Sequence, residues 1–215
     1  MNSTLVFIFL ASFQLVFAEI CEDGVNNLIT VDSYGDEELP ITVRNVSLLV
    51  YDEHMKPSCH NGNVNIVMPG YFVITGGEVE VREDFDVVND GLVSLSMTYD
   101  DFLVCQNGEA SFFFMPNKFC NFEISSLVPT DVLQTLQRNG THTLQELQEK
   151  NNFNATLAIP ESPSFLGVSL IDALEGIYLV KISLTSENKK IAEFTFPSDN
   201  KPFQLGVKGG DPNVS

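Results

Sequence analysis

The chain has 215 residues, of which 29 are acidic and 11 basic, so its net charge at pH 7 is −18. A surface this acidic is poorly suited to bind nucleic acid or an anionic membrane, because both repel negative charge. The length suits one domain with a sizeable hydrophobic core.

The first predicted element is a secretory signal peptide over residues 1–18. This segment has no charged side chain, contains the apolar run Leu5–Leu10, and ends in Val16-Phe17-Ala18 before Glu19. A short apolar run followed by small residues at the −3 and −1 positions is typical of signal peptides. We therefore expect an exported protein, either extracellular or in the lysosomal lumen, whose cysteines encounter an oxidising compartment.

Most of residues 19–200 is predicted to form short β-strands within one domain. Apolar and polar side chains alternate over 78–82 and over 92–99, and Gly, Pro and Asn turn signals separate the segments. Many short strands between turns predict an antiparallel β-sandwich. The predicted strands cover residues 41–51, 64–68, 71–75, 78–82, 92–99, 111–115, 154–159, 177–185 and 191–196.

Residues 130–149 break this pattern, because their leucines recur at helical spacing. The segment predicts two short helices, with Thr130 as the cap of the first and a glycosylated corner at Asn139-Gly140. Residues 201–215, which contain two glycines and an Asp-Pro step, are predicted to be a flexible C-terminal tail.

Four cysteines remain after the signal peptide, and an even number in an exported chain predicts two disulfides with three possible connectivities. We expect Cys105 to pair with Cys120 and Cys21 with Cys59. Closing the loop between Cys105 and Cys120 would stabilise the fold by about 3 kcal/mol in the chain-entropy model.

Three Asn-x-Ser/Thr sequons within the domain are predicted to carry N-linked glycans, and each would then face water. The predicted glycosylation sites are Asn45, Asn139 and Asn154.

The sequence offers little support for catalysis or metal binding. It has no Gly-x-Ser-x-Gly elbow and no Cys-x-x-Cys pair, and its acid pairs fall at strand ends, where Asp is favoured for local hydrogen bonding. We therefore expect neither enzymatic activity nor a cofactor or metal site. The histidines and acid pairs that we expect to have surface or turn roles, and not catalytic ones, are His54, His60, His142, Asp84, Asp86, Asp100 and Asp101.

The aromatic residues are concentrated in one segment, since residues 111–122 contain five of the 17 Phe and one Met. In a strand, Phe112 and Phe114 would face one side, and Phe113 and Met115 the other. Two interpretations are open: the strand is buried on both faces, or one face lines an apolar cavity. A second apolar segment, residues 164–168, could contact a membrane or cover a pocket.

A series of short motifs runs through the chain, from Cys21 and Asn45–Leu48 through Leu92–Leu95 and Phe102–Cys105 to Phe119–Phe122 and Leu127–Thr130. The closing block has a Gly-x-Tyr strand over 176–184, a polar turn over 186–190 and a last strand over 191–196. This order resembles the ML-type lipid-recognition family, and within it the ganglioside activator proteins.

The resemblance implies a mainly β fold: an immunoglobulin-like antiparallel sandwich opened into a β-cup over residues 19–200, with one or two short helices. It implies a non-catalytic lipid-binding or lipid-transfer protein that could present glycolipid to a hydrolase, with transient membrane contact. The pair Cys105–Cys120 matches the family's hairpin bridge. The lipid-binding residues expected on this basis are Phe112, Phe114, Met115, Phe119 and Phe122 in the cavity, and Phe165, Leu166 and Val168 at its rim.

A second hypothesis is an exported sandwich with a filled core, comparable to transthyretin-like secreted proteins, that binds a protein partner in signalling or structure instead of lipid. Cavity volume separates the two hypotheses. A lined void of several hundred Å³ favours lipid, whereas tight packing between the sheets favours a protein partner.

Overall fold

In a computed structural model, the described residues form two packed β-sheets and three short α-helices. The structure describes residues 21–33, 39–100, 102–111, 115–161, 164–165, 168–169, 175–198 and 200–206. The predicted mainly β sandwich with few helices is confirmed. The predicted signal peptide lies outside the described residues.

The first sheet contains β1 (Leu28–Val31), β2 (Ile41–Asp52), β5 (Gly70–Val81), β10 (Gly140–Thr143) and β11 (Thr156–Ile159). One edge of β5 pairs with β2, which in turn pairs with β1. The other edge pairs with β11 over 70–73 and with β10 over 78–81, and every pairing is antiparallel. Among the described residues, no strand pairs with positions 75–77 on that second edge.

The second sheet contains β3 (Cys59–His60), β4 (Asn63–Ile66), β6 (Leu92–Tyr99), β7 (Phe102–Gln106), β8 (Glu109–Ala110), β9 (Asn121–Glu123), β14 (Gly176–Ser186), β15 (Lys189–Phe196) and β16 (Phe203–Leu205). Strand β14 is central: it pairs with β6, β15 and β16. The pairing of β16 with β4 is parallel. A separate short hairpin joins β12 (Ser164–Phe165) to β13 (Val168–Ser169).

The sheets meet in a closely packed core. Ile29 and Val50 of the first sheet are fully buried in one cluster with Tyr178 of the second. Three phenylalanines interlock in the same region: Phe196 lies edge-on to Phe72 and to Phe203, with ring centroids 6.3 and 5.5 Å apart. Edge-to-face pairs are a favourable aromatic arrangement, so these rings fill the space between the sheets rather than coat a hollow.

The helices are α1 (Val87–Asp90), α2 (Thr130–Leu136) and α3 (Leu144–Asn151). The two predicted helices in 130–149 are therefore present, but two details differ. Pro129 holds the N-cap position of α2, so Thr130 is the first helical residue and not the cap. Gly140, expected at the corner between the helices, and residues 141–143, expected in the second helix, form β10 instead. The edge of β5 supplies hydrogen-bond partners that sequence periodicity does not reveal. Helix α3 is capped by Thr143, whose hydroxyl accepts a hydrogen bond from the backbone N–H of Glu146.

The expected flexible tail from residue 201 needs correction. Residues 203–205 form β16 and Phe203 is buried, because its ring completes the aromatic cluster between the sheets. The domain thus extends past residue 200, while residues 207–215 lie outside the described part. The predicted strands at 71–75 and 78–82 are one continuous strand, β5, which incorporates Gly76 and Gly77.

Both disulfides form as expected, Cys21 with Cys59 and Cys105 with Cys120. Disulfides of this kind are typical of oxidising compartments. Cys105 and Cys120 are fully buried with Val104. None of the described helices is long and apolar enough to cross a bilayer.

Candidate functional site

An apolar pocket of about 180 Å³ lies where β10 and β11 diverge along the edge of β5. The chain leaves the first sheet after β10, forms α3, and returns as β11. Helices α2 and α3 line the pocket beside positions 76–77 of β5, with which no described strand pairs on that edge. The lining residues are Val46, Ile74, Gly76, Gly77, Glu78, Val79, Leu127, Val128, Pro129, Val132, Leu136, His142, Leu144, Leu147, Phe153 and Leu157.

The floor of the pocket is shaped by an irregularity in the first sheet. The pairing of β2 with β5 shifts register on both sides of Ser47, and Asn45 has a positive φ of 51°. This bulge brings Val46 against Gly77, which has no side chain to occupy the space. Bulges re-aim side chains in this way, and glycine in a strand often marks a close backbone approach.

The roof of the pocket is the apolar side of α2 and α3. Val132 is 2% exposed and Leu147 is 8% exposed, so the helices are anchored by burial. Asn151 of α3 also ties the helices together, because its Nδ2 donates to the carbonyl of Asp131 at 2.9 Å and its Oδ1 accepts from the Thr135 hydroxyl at 3.1 Å. Leu127, which is 61% exposed, lies at the mouth.

A groove of about 500 Å³ adjoins the pocket; its lining mixes apolar and polar groups, and it is called the polar groove for the polar ones. The two spaces share a wall of five apolar residues, and the groove adds carboxylate, amide and hydroxyl groups from the ends of α2, α3 and β11. The shared residues are Leu127, Pro129, Val132, Phe153 and Leu157; the added polar residues are Asp131, Asn151, Asn152, Asn154 and Thr156.

His142 is the buried polar side chain in the pocket wall. Its Nε2 lies 2.8 Å from the carbonyl of Arg138, which can only accept, so Nε2 carries the hydrogen. Its Nδ1 is buried, makes no hydrogen bond within the described chain, and lies 3.5 Å from a carboxylate oxygen of Glu146. A hydrogen bond from Lys150, at 2.6 Å, holds the pKa of Glu146 below its ordinary value.

Basic side chains near the pocket are engaged with the protein's own acids. Arg44 lies 2.7 Å from Glu80 and 3.9 Å from Glu78, which is part of the lining. The guanidinium of Arg138 contacts Asp84 at 3.0 Å. Among the lining residues of the pocket and groove there is no Lys or Arg.

The residues expected to bind lipid do not line this pocket where the structure describes them. Met115 packs beside the buried Cys105–Cys120 disulfide. Phe119 is 38% exposed, with Nζ of Lys118 5.6 Å from its ring centroid, and Phe122 packs in a filled cluster around Val93. Phe112, Phe114 and Leu166 lie outside the described residues, and of Phe165 and Val168 only the backbone, in the β12–β13 hairpin, is described.

The pocket residues were not predicted as a site, although two signals were present. Leu136, Leu144 and Leu147 have helical spacing, which predicts a buried face but does not separate a packed core from a pocket wall. The pair Gly76-Gly77 within a β-rich run was the more specific signal, because glycine inside a strand indicates a bulge or a close approach.

The predicted glycosylation sites Asn45, Asn139 and Asn154 are all exposed. The side chain of Asn139 donates from Nδ2 to the carbonyl of Arg82, and its backbone N–H donates to Asp84 at 2.8 Å. That backbone bond is the largest cause of the lowered pKa of Asp84.

The acid pair Asp84 and Asp86 has structural partners. Asp84 binds the turn at Asn139, while Asp86 caps α1 and its pKa is lowered mainly by the side-chain hydrogen bond from Asn89. Within the described ranges, no three His, Cys, Asp or Glu side chains lie close enough together to hold a metal ion.

Comparison with known proteins leaves the chain without an assigned family: no family model matches it, and no curated protein is significantly similar to it.

Proposed function

We propose that this protein is an exported, non-catalytic lipid carrier that holds the end of an acyl chain in the pocket beneath α2 and α3. The observation that supports it is the pairing of an apolar pocket with a polar groove, which matches the two ends of an amphipathic molecule. An apolar cavity of about 150 Å³ binds benzene, so a pocket of about 180 Å³ suits a short stretch of hydrocarbon.

The proposal moves the binding site away from the phenylalanine-rich segment. Hydrocarbon burial contributes about 0.8 kcal/mol per methylene wherever the surroundings are apolar, so aliphatic Leu, Val and Ile walls serve as well as aromatic ones. The disulfides and the signal-like residues 1–18 support export to an extracellular or lysosomal compartment.

The experiment is uptake of a fluorescent monoacylglycerol by the mature, disulfide-bonded protein, with native mass spectrometry to detect co-purified lipid. Ile74→Phe extends a larger side chain into the pocket and should weaken uptake at least tenfold without lowering the melting temperature by more than a few degrees. Leu179→Phe makes a similar change at a 43% exposed position of the second sheet and should leave uptake unchanged.

Absence of uptake together with a lipid-free mass spectrum would reject the carrier. Equal uptake by Ile74→Phe and the parent protein would reject this pocket as the site.

A second candidate function is binding of a protein partner. The observation that favours it is a group of exposed apolar side chains on the two strands that flank β6: Leu103 of β7 and Leu179 of β14 both lie opposite Thr98, and Ile177 follows on the same side of β14. Exposed apolar patches mark interaction sites when they are contiguous. A mature protein that takes up no lipid but is cross-linked through position 179 to a second protein would fit this candidate.

A further inference from the structure

The polar groove beside the pocket would hold the headgroup of a lipid whose acyl chain occupies the pocket. We infer that the groove selects an uncharged, hydroxyl-bearing headgroup and disfavours an anionic one; this inference rests on the lipid-carrier function proposed above. It follows from which hydrogen-bonding groups the groove offers and from where the basic side chains lie.

The groove offers both donors and acceptors. Oδ1 of Asp131 accepts from the backbone N–H of Val132 at 3.0 Å, which leaves its Oδ2 as an acceptor within the described chain. Oδ1 of Asn154 accepts from the N–H of Thr156 at 3.0 Å, which leaves its Nδ2 as a donor on the same basis when Asn154 carries no glycan. A hydroxyl group both donates and accepts, whereas a carboxylate, sulfate or phosphate dianion only accepts.

The charges in and around the groove oppose an anion. Asp131 is the ionisable residue that lines the groove, and Glu78 and His142 are those that line the pocket. Two cations of the adjoining segments pair with acids: Lys150 of α3 with Glu146 at 2.6 Å, and Arg138, which follows α2, with Asp84 at 3.0 Å.

An anionic headgroup in the groove would therefore lie near Asp131 without a compensating cation. Like charges repel, and the repulsion is stronger near a protein surface than in bulk water. A sugar or glycerol headgroup meets no such repulsion and can satisfy both the carboxylate and the amides.

The test compares probes that share an eight-carbon chain and differ in headgroup: octyl glucoside, octyl sulfate and octyltrimethylammonium. Each competes with the bound fluorescent monoacylglycerol at pH 7.5, below its micelle-forming concentration. We expect octyl glucoside to displace the reporter at a concentration at least tenfold lower than octyl sulfate. Equal displacement by the glucoside and the sulfate, or strongest displacement by the ammonium probe, would overturn the inference.

Asp131→Asn removes the groove's charge while keeping its shape, and should reduce the preference for glucoside over sulfate at least threefold. Glu109→Gln makes the same charge change at an exposed position of β8 and should leave the preference unchanged. Because Asn154 begins a sequon, the comparison is made both on the secreted protein and on protein produced without N-glycosylation, which keeps the Asn154 side chain, and the preference is expected in each. If the monoacylglycerol does not bind and no lipid co-purifies, the carrier proposal fails. If lipid co-purifies but the monoacylglycerol does not bind, or if it binds and the headgroups are not distinguished, only this inference fails.

Discussion

Gly77 lies against Val46 so closely that a Cβ atom on Gly77 would come within 2.5 Å of the Val46 Cα. The φ angle of Gly77 is +126°, a backbone conformation that residues with side chains rarely adopt. Both features belong to the bulge that forms the pocket floor. Gly77 has no side chain, yet few positions in the first sheet tolerate a substitution less well.

Gly77→Ala should destabilise the protein by at least about 2 kcal/mol, because the new Cβ would both collide with Val46 and strain the backbone. At this size of protein, that corresponds to a fall of roughly 4–8 °C in melting temperature. Gly76→Ala is the matched control, since a Cβ there would meet only the Ser47 hydroxyl, at 3.5 Å. Equal melting temperatures for the two variants would contradict the structure at the bulge.

Glu193 should make the stability of the fold sensitive to acid. Burial alone would raise the pKa of Glu193, but hydrogen bonds from Lys181 and Lys190 outweigh it and lower the pKa below its ordinary value. A depressed pKa in the folded state means that the carboxylate stabilises the fold at neutral pH, and that this contribution disappears as the pH falls through the folded-state pKa.

Glu193→Gln should therefore cost about 1–2 kcal/mol at pH 7, a modest value because both lysines are half-exposed and water can solvate them. The difference from the parent protein should shrink as the pH falls below about 4.3, the ordinary pKa of Glu, and should vanish below the depressed folded-state pKa. Urea unfolding at a series of pH values measures it, with Glu109→Gln as the exposed control. A difference that stays constant over this range would show that the ion pairs contribute nothing.

Removing the Cys105–Cys120 disulfide by replacing both residues with Ala should lower the free energy of unfolding by about 3 kcal/mol, because the bridge closes a loop with a sequence separation of 15. The pocket lies in another part of the molecule, so lipid uptake by the folded variant should persist. Urea unfolding monitored by circular dichroism gives the first quantity and the fluorescence assay gives the second. An unchanged urea midpoint would count against a structural role for the bridge.

The sequon at Asn139 allows the contribution of the glycan to stability to be distinguished from that of the asparagine side chain. Asn139→Gln removes both the glycan and the hydrogen bond to the Arg82 carbonyl, whereas Thr141→Ala removes the sequon but leaves Asn139 in place. We expect Asn139→Gln to be less stable than Thr141→Ala by about 1 kcal/mol, the net contribution of one hydrogen bond. Thermal unfolding of both variants measures the difference, and indistinguishable melting temperatures would assign the effect to the glycan alone.

Local patterns predicted the elements that are amphipathic by themselves. The strand at Leu92–Tyr99 forms with the expected bounds because its side chains alternate along its whole length. The disulfide partners were also predictable, since each bridge joins consecutive cysteines of the chain. By contrast, β10 is a short polar segment, Gly-Thr-His-Thr, whose strand conformation depends on the free edge of β5.

The pocket could not be predicted because its walls are far apart in the sequence. Val46, Ile74, Val132 and Leu157 each read as ordinary core residues, and only the bulge and the divergence of two strands leave a space between them. The phenylalanine-rich segment drew attention through its composition, yet Phe122 packs in a filled cluster. Composition shows which segments are apolar, but not whether their side chains pack against other residues or line an empty space.

The divergence of β10 and β11 gives the segment between them an unusual attachment. Residues 144–155 are joined to the same strand at both ends, while their middle is held by side-chain packing and by the two hydrogen bonds of Asn151. An outward displacement of α3 would widen the pocket beneath it without breaking the hydrogen bonds that pair β10 and β11 with β5. Under the proposed carrier function, acyl chains of different width would be accommodated by α3 while the two sheets stay unaltered.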